Sequence, residues 1–470
     1  MSKKILFVTL AMNQTRFFES VGNAMQELGY RIEYLCFHEP SYEYLRGNNA
    51  VAHNMFDRRF AGERAYGFED FGIDNVNMVL SHEKAAFNVS DSEQLLKKLR
   101  AYLAAASAVM QPSKTEGSTT VVIQELGGFL SNIATFHVAR SLGFDNFFLE
   151  PSFFRGRLFF VRNSFAAPVI KESKESRRAQ VREAVQRYLT NVMFQQSIVI
   201  PSKDVHHYRG PFKKLFDPRN WKRLVEKIAD KRIKGKREEF SHIGVYVWRH
   251  ICMAVNSQLL KLHYRALSDG ERFVYYPLHV PVDIALTLRS PAYLDQLALI
   301  DFIARVTPHP WKVVVKEHPA LVGGLHYHNF RRLLKRRDNV VLVDASINNY
   351  ELVQKADAIV TVNSKAGAEA LLMGTPVIVL GDAFYRDCDL VYAVDDLHEL
   401  PHTFSRVLRS PRIVNRDALN AYFEDVWIQS YPGELYDTRP ENVRAICDSL
   451  RLCLEAQEHT PTVFAQETAD

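Results

Sequence analysis

Short runs of β-branched and aliphatic residues recur along this chain, and each breaks abruptly into polar, small or basic positions. The runs at 5–12, 31–37, 119–123 and 146–149 read as strands buried on both faces. Helical periodicity fills 17–28, 92–110 and 133–142 between them, and Gly29 caps the first of these helices. This is the β-α-β opening of a doubly wound sheet, without the GxGxxG dinucleotide fingerprint. A second series begins at 273–276 and continues at 312–316, 340–343, 358–362 and 377–380, with helices predicted at 292–306, 328–336, 349–356 and 366–373. The pattern predicts an α/β protein with two Rossmann-like domains, at 1–165 and 269–400, facing a cleft. A basic, mainly helical insertion or connection is expected at 166–268, with helices at 401–470 packing back on the first domain. No internal repeat or low-complexity tract occurs, and the tail at 455–470 reads as frayed.

At 470 residues the chain has room for two or three cores. The net charge of +5 is unevenly placed: residues 171–240 carry 19 Lys and Arg against 9 Asp and Glu. Such a block, interleaved with Phe212, Phe216 and Trp221 and followed by Tyr246 and Trp248, points either to an anionic partner such as a membrane surface, a lipid-linked acceptor or nucleic acid, or to a solvated helical face. A nucleic-acid role is disfavoured, because no recognisable binding module accompanies the charge. Five scattered cysteines with no CxxC indicate a reducing, cytoplasmic setting without disulfides or structural zinc. The N-terminal MSKKILFVTLAM lacks a cleavage site and reads as a strand, and no apolar run is long enough to span a bilayer.

Candidate chemistry lies where the strands end, since ligands of open α/β sheets sit beyond the carboxyl ends of the strands. VVVKEHP delivers Lys316, His318 and Pro319; VTVNSKAGAE delivers Asn363, Ser364, Lys365, Gly367 and Glu369 at the start of a helix, where an anion is favoured. Together they suit a nucleotide phosphate. In YYPLHVPVD the loop after Pro277 carries Asp283, which reads as nucleophile, base, hydroxyl anchor or helix N-cap. His279 reads as a hydrogen-bonding partner. Glu125, followed by two glycines, and Glu150 are the carboxylates expected across the cleft; their alternative is capping, or pairing with Arg155 or Arg157. Glu369 reads as a ribose contact, an orienter of Lys365 or a helix-surface residue. Asp387-Cys388-Asp389 is formally a DxD, but it follows the last clear strand, so no metal is expected.

YYPLHVPVD, VKEHP and VTVNSKAGAEALLMGTPVIVLGDAFY resemble the bacterial capsule polysaccharide biosynthesis family, which includes β-Kdo glycosyltransferases. The resemblance is strong over 273–385 and weaker over 1–165, where Gln124-Glu125 resembles a family motif, and it does not clearly cover 171–268. It implies a GT-B-like enzyme that transfers Kdo from CMP-Kdo, as donor substrate, to a saccharide or lipid-linked acceptor in capsule or lipopolysaccharide biosynthesis. No cofactor is implied. Asp283 takes the place of the catalytic aspartate, His318-Pro319 that of a CMP-phosphate motif, and Ser364 that of the nucleotide loop, with Lys365 where many relatives have threonine. The first domain would then be the acceptor side and the second the nucleotide-sugar side, with retention of configuration; in a bacterial cell the membrane surface expected for the basic block is the cytoplasmic face of the inner membrane. Alternatives are another CMP- or UDP-sugar donor, or a non-catalytic polysaccharide-binding or export protein.

Overall fold

A computed structural model describes residues 3–60, 67–115, 119–196, 217–240, 242–410, 412 and 414–456. The strands are β1 (Lys4–Thr9), β2 (Arg31–Cys36), β3 (Ala52–Asn54), β4 (Thr120–Glu125), β5 (Asp145–Pro151) and β6 (Arg157–Arg162). They continue with β7 (Phe273–Pro277), β8 (Lys312–Lys316), β9 (Val340–Val343), β10 (Ala358–Thr361), β11 (Val377–Val379), β12 (Tyr392–Ala393) and β13 (Tyr431–Pro432). The first sheet has the order β13-β6-β5-β4-β1-β2-β3 and the second β12-β11-β10-β7-β8-β9. All pairs of the second sheet are parallel, as are those from β3 to β5 in the first; β6 and β13 add antiparallel pairs at one edge. Helices flank both sheets, so the chain has the two-lobed, Rossmann-like GT-B-type architecture expected from its pattern.

Strand order reverses between β7 and β10 in the second sheet and between β1 and β4 in the first. Diverging loops at such points open a crevice. The two lobes also share apolar packing. Phe148, Phe154 and Phe159 of the first lie in one buried cluster with Tyr275, Val314 and Ile359 of the second, joined through Val185, Leu189 and Phe423. The helix Leu400–Arg409 packs Phe404 and Val407 into the second core. The return to the first lobe comes later, when the helix Pro440–Ala456 buries Ile446 and Leu450 beside the helix Met12–Glu27.

Several elements were not anticipated. The sequence RLFFVR folds back as β6 through a turn whose Gly156 takes φ 74°. Its aromatic, arginine-bounded pattern lacks the β-branched run that marks the parallel strands. The short β3 and the helices Glu39–Gly47 and Val76–Phe87 also lacked a clear periodic signal. Phe212 and Phe216 of the basic block lie outside the described residues.

The end of that block is tied to the first lobe by a buried charge cluster. Arg237 pairs with Glu39 at 2.8 Å, and the Glu239 N–H donates to Phe37 O. The fully buried Glu239 and Glu83 both reach Lys98, at 3.3 and 2.9 Å, while Tyr102 donates to Glu239 and Leu130 N–H to Glu83. Two carboxyls on one ammonium share a proton more cheaply than they both ionise. Burial, then the charge of Glu239, raises Glu83 to about 8. Burial pushes Glu239 upward too, but Lys98 with the Glu83 and Tyr102 hydrogen bonds holds it below the ordinary range.

The unfolded chain releases the Glu83 proton near 4.5 and the folded protein keeps it to about 8. The stabilising contribution of this proton is therefore full below 4.5 and is lost as pH rises towards about 8. Glu83→Gln cannot lose a proton, so its melting temperature should decline less than that of the native chain over this window. Parallel melting curves for the two proteins across it would contradict the shared proton.

Candidate functional site

The crevice of the second lobe is built on one histidine. The ring Nε2 of the buried His279 accepts the Asn363 N–H at 3.2 Å, and Gln296 clamps the His279 backbone through bonds of 2.7 and 3.0 Å. A ring nitrogen that accepts from a backbone N–H is unprotonated, so the neutral ring carries its proton on Nδ1. Burial, helped by nearby His318, pushes the His279 pKa down to about 3 and keeps the ring neutral. The Asn363 amide in turn donates to Ala285 O at 2.6 Å and Ser290 Oγ at 3.2 Å. The loops after β7 and β10 are thereby braced together.

Asp283 sits on the braced loop as the N-cap of the short helix Ile284–Thr287, its Oδ1 accepting from Ala285 N at 2.9 Å. The side chain is exposed, and its second oxygen accepts no hydrogen bond from the described residues. After β8, His318 caps the turn Pro319–Leu321, with Nδ1 accepting from Ala320 N at 3.2 Å. The His318 proton is therefore on Nε2, a donor. Burial lowers its pKa to about 4, Asp283 opposing and Lys316 reinforcing the shift. The buried Lys316 donates from Nζ to Ile347 O at 2.7 Å; burial brings it down to about 8 against the pull of Glu369 and Asp344.

On the β10 side, Ser364 caps the helix Lys365–Met373 by accepting from Ala366 N. Lys365 reaches out of the second lobe and donates to Ser152 O at 2.8 Å in the first. A Cβ on Gly367 would stand 2.3 Å from the Tyr385 hydroxyl, so close packing accounts for this glycine without a ligand. The helix-surface reading of Glu369 is corrected: it is buried, accepts from Asn349 Nδ2 at 2.7 Å, and is raised to about 7 by burial. Segments 316–319 and 363–367 end the strands on either side of β7, about 10 Å apart by strand spacing, within reach of one nucleotide.

The first-lobe carboxylates take partners that local sequence did not indicate. Glu125 accepts from Gln14 Nε2 at 3.1 Å and from the Tyr436 hydroxyl, at the first sheet's own reversal of strand order. Glu150 pairs with Arg289 of the second lobe at 3.1 Å, and that arginine also donates to Phe165 O and Ala166 O. Neither Arg155 nor Arg157 fills the place expected for it; Arg157 binds Ser430 and lies over Trp427.

His82 was missed. It is buried in the helix Val76–Phe87, its Nδ1 is 2.8 Å from Thr287 Oγ1, and neighbouring Ser81 donates to Thr287 O at 2.7 Å. The first lobe thus grips the helix that Asp283 caps. Burial lowers His82 to about 4, while Asp283 pulls it upward. Arg289, Gln296 and Glu317 were missed as well; Glu317, buried and raised to about 7 by burial, holds Gly323 N in the loop beyond His318. A lone residue on a helix or loop carries no local signal of a partner 17 to 205 positions away. Among the described residues no group of His, Cys, Asp or Glu is arranged to hold a metal ion, and all five cysteines are free. A cavity beside Lys365 and Ser152 encloses about 20 Å³, room for a water molecule rather than a nucleotide.

Residues 223–396 match the family described as capsule polysaccharide biosynthesis protein. The motifs at 273–385 lie inside this span, so the resemblance they carry is shown there, and the match extends back to 223, into the insertion. A stretch of 153 residues is 32% identical to Protein FixF of Sinorhizobium fredii, covering 31% of this chain and 36% of that protein. The match thus spans little more than a third of the relative's length. Among solved structures, the β-Kdo 2,7 transferase KpsC of Thermosulfurimonas dismutans is similar at 15% identity and a TM-score of 0.36, over 74% of this chain and 89% of that one. The UDP-GlcNAc 2-epimerase of Methanocaldococcus jannaschii is similar at 13% identity and a TM-score of 0.26, over 91% and 99%.

The Arg289–Glu150 pair is largely withdrawn from water, so removing one partner strands the other charge between the lobes. Arg289→Met should destabilise the protein by about 3 kcal/mol in denaturant unfolding, whereas Glu150→Gln with Arg289→Met should recover part of that loss. A single variant as stable as the native chain would show the clasp to be dispensable.

Proposed function

We propose that this protein is a glycosyltransferase that moves Kdo from CMP-Kdo to a saccharide or lipid-linked acceptor, with retention of configuration. One observation carries the reading: Asp283, His318 and the Asn363-Ser364 loop converge at the strand-order reversal of the second sheet, beneath a first-lobe helix that grips the Asp283 turn. The capsule-biosynthesis match over 223–396 supports a role in capsule polysaccharide assembly.

In this reading the nucleotide lies across β7. Its phosphate meets His318 on one side and the start of the helix Lys365–Met373 on the other. His318 contributes a neutral Nε2–H, a hydrogen-bond donor that needs no counter-charge until phosphate arrives; phosphate would then draw its pKa upward. Lys316, set just below the surface, adds a cationic field. Asn363 holds the Asp283 loop, and Glu369 steadies the buried polar base through Asn349 and Tyr275. Pro319 and Gly367 shape the two turns.

Asp283 is the nucleophile in the proposal, because one oxygen is fixed by its own helix while the other stays open. That oxygen attacks the anomeric carbon as the bond to the CMP phosphate breaks, and CMP leaves with the bonding pair. An acceptor hydroxyl then displaces Asp283, giving up its proton. Glu125, at the first sheet's crevice, is the proposed base; Glu150 serves better as the partner of Arg289. The mixed role of Asp283 as cap and nucleophile separates it from a purely structural cap, whose replacement would change stability and leave turnover alone.

Ligand binding, mutagenesis and mass spectrometry test this. In a thermal-shift screen CMP should stabilise the protein where UDP, GDP and ADP do not, by about 2.7 kcal/mol at a hundredfold excess over Kd; selective stabilisation by UDP would assign another donor. Asp283→Asn should keep CMP binding and lose turnover by orders of magnitude, with intact-mass spectrometry of the native enzyme showing a sugar adduct at Asp283. His318→Ala should lose CMP affinity and turnover together. Near-normal transfer by a folded Asp283→Asn protein would remove Asp283 from the chemistry.

A further inference from the structure

The basic insertion leaves a largely apolar stripe on the outside of the molecule. Along the helix Ile243–Lys261 the exposed positions are Gly244, Trp248, Ile251, Val255, Gln258 and Lys261, and Leu262 follows in the same phase. Trp248 is 67% exposed, Val255 54% and Leu262 76%. This spacing places them on one helical face. The opposite face is committed: Met253, Ala254, Ser257 and Leu260 are buried, and Gly323 approaches so closely that a Cβ there would strike Met253 O. At its other end Arg249 donates to Ala86 O, and His242 stacks on Phe87 at 4.5 Å. The helix is thus pinned to both lobes, and its apolar stripe faces outward.

The adjoining helix Pro218–Arg232 buries none of its residues, and Val225 and Ile228 are 62% and 40% exposed, with Ile233 beyond it at 82%. Lys222, Arg223 and Arg232 are exposed between and beside them. Residues 217–240 hold nine Lys and Arg against five Asp and Glu, and 243–262 hold two basic residues and no acidic one. Among the described residues no helix is long and apolar enough to cross a membrane.

We propose that these two helices dock the protein on an anionic lipid bilayer, lying in the plane of its interface. Aromatic and aliphatic side chains in one row, flanked by cations and free of carboxylates along the longer helix, are what a headgroup layer accommodates. The apolar row enters the acyl boundary and the cations stay at phosphate level. A hollow of about 560 Å³ lies between the two helices, lined by Ile228, Lys231, Arg232, His242 and Val245; an apolar lining beside two cations suits lipid, whereas a peptide there would need polar partners for its backbone. Docking would also orient the cleft, since the same helix packs against the loop that begins at His318. The proposal stands on exposure and charge, independently of any reading of the active site.

Flotation of the full chain with phosphatidylcholine vesicles, with and without phosphatidylglycerol, tests it. Binding should require phosphatidylglycerol, weaken steeply with salt, and fall at least about tenfold for Trp248→Glu with Val255→Glu, both outward-facing, in a protein of unchanged circular dichroism. A second variant, Lys222→Glu with Arg223→Glu, should show the same loss if charge guides docking. Absence of binding to anionic vesicles, or binding unaltered in both variants, would overturn the proposal. So would a concentration-dependent dimer in light scattering that the first variant abolishes without any vesicle binding.

Discussion

The hydrogen bond from the Asn363 N–H to the ring of His279 is the brace from which the candidate site hangs. Strands buried on both faces end in loops whose polar backbone must find partners without help from a neighbouring strand. At the reversal between β7 and β10 the two loops diverge, and His279, Gln296, Asn363 and Ser290 bridge the gap. Asp283 on one loop and Ser364 on the other inherit their positions from it. The brace demands a neutral imidazole, which burial enforces by lowering the pKa of His279 to about 3.

The same economy of charge extends around the crevice. Burial lowers His82, His318 and Lys316 and raises Glu317 and Glu369. The empty-handed alternative, a dense cluster of fixed cations, would be costly to desolvate. Oriented donors and a capped helix instead offer a phosphate directional hydrogen bonds, with charge developing as the ligand arrives. Asp283 differs from its neighbours in being exposed at the rim, where a carboxylate remains solvated until a substrate covers it.

The two lobes are linked at points that also shape the site. Arg289 clasps Glu150, Lys365 reaches Ser152 O, and Ser81 with His82 holds Thr287, one turn beyond Asp283. A shift of one lobe against the other must therefore disturb the loops that carry the candidate chemistry. The helix Ile243–Lys261 adds a fourth link beside the cleft, and the Glu83–Lys98–Glu239 cluster fastens the segment that leads into it. Interlobe geometry and site geometry are one mechanical system.

The runs VVVK, VVLV, AIVT and VIV announced the second sheet because a strand covered on both faces must be apolar at every position, a property written locally. Their polar ends marked where a crevice would open, so Asp283, His318, Asn363 and Ser364 were legible as a neighbourhood. Antiparallel β6 was hidden by its paired aromatics between arginines, and the grip of His82 by the 205 positions that separate it from Thr287. Chain order alone could not tell that Gly367 makes room for Tyr385, that Glu369 is buried, or that Lys365 turns towards the other lobe. The sequence by itself determined the two doubly wound sheets and the strand ends that bear polar groups, because periodic burial acts over a few residues. Only the tertiary structure decided which partner each polar group takes, because desolvation and hydrogen bonding are settled by whichever atoms packing brings within about 3 Å, regardless of their distance along the chain.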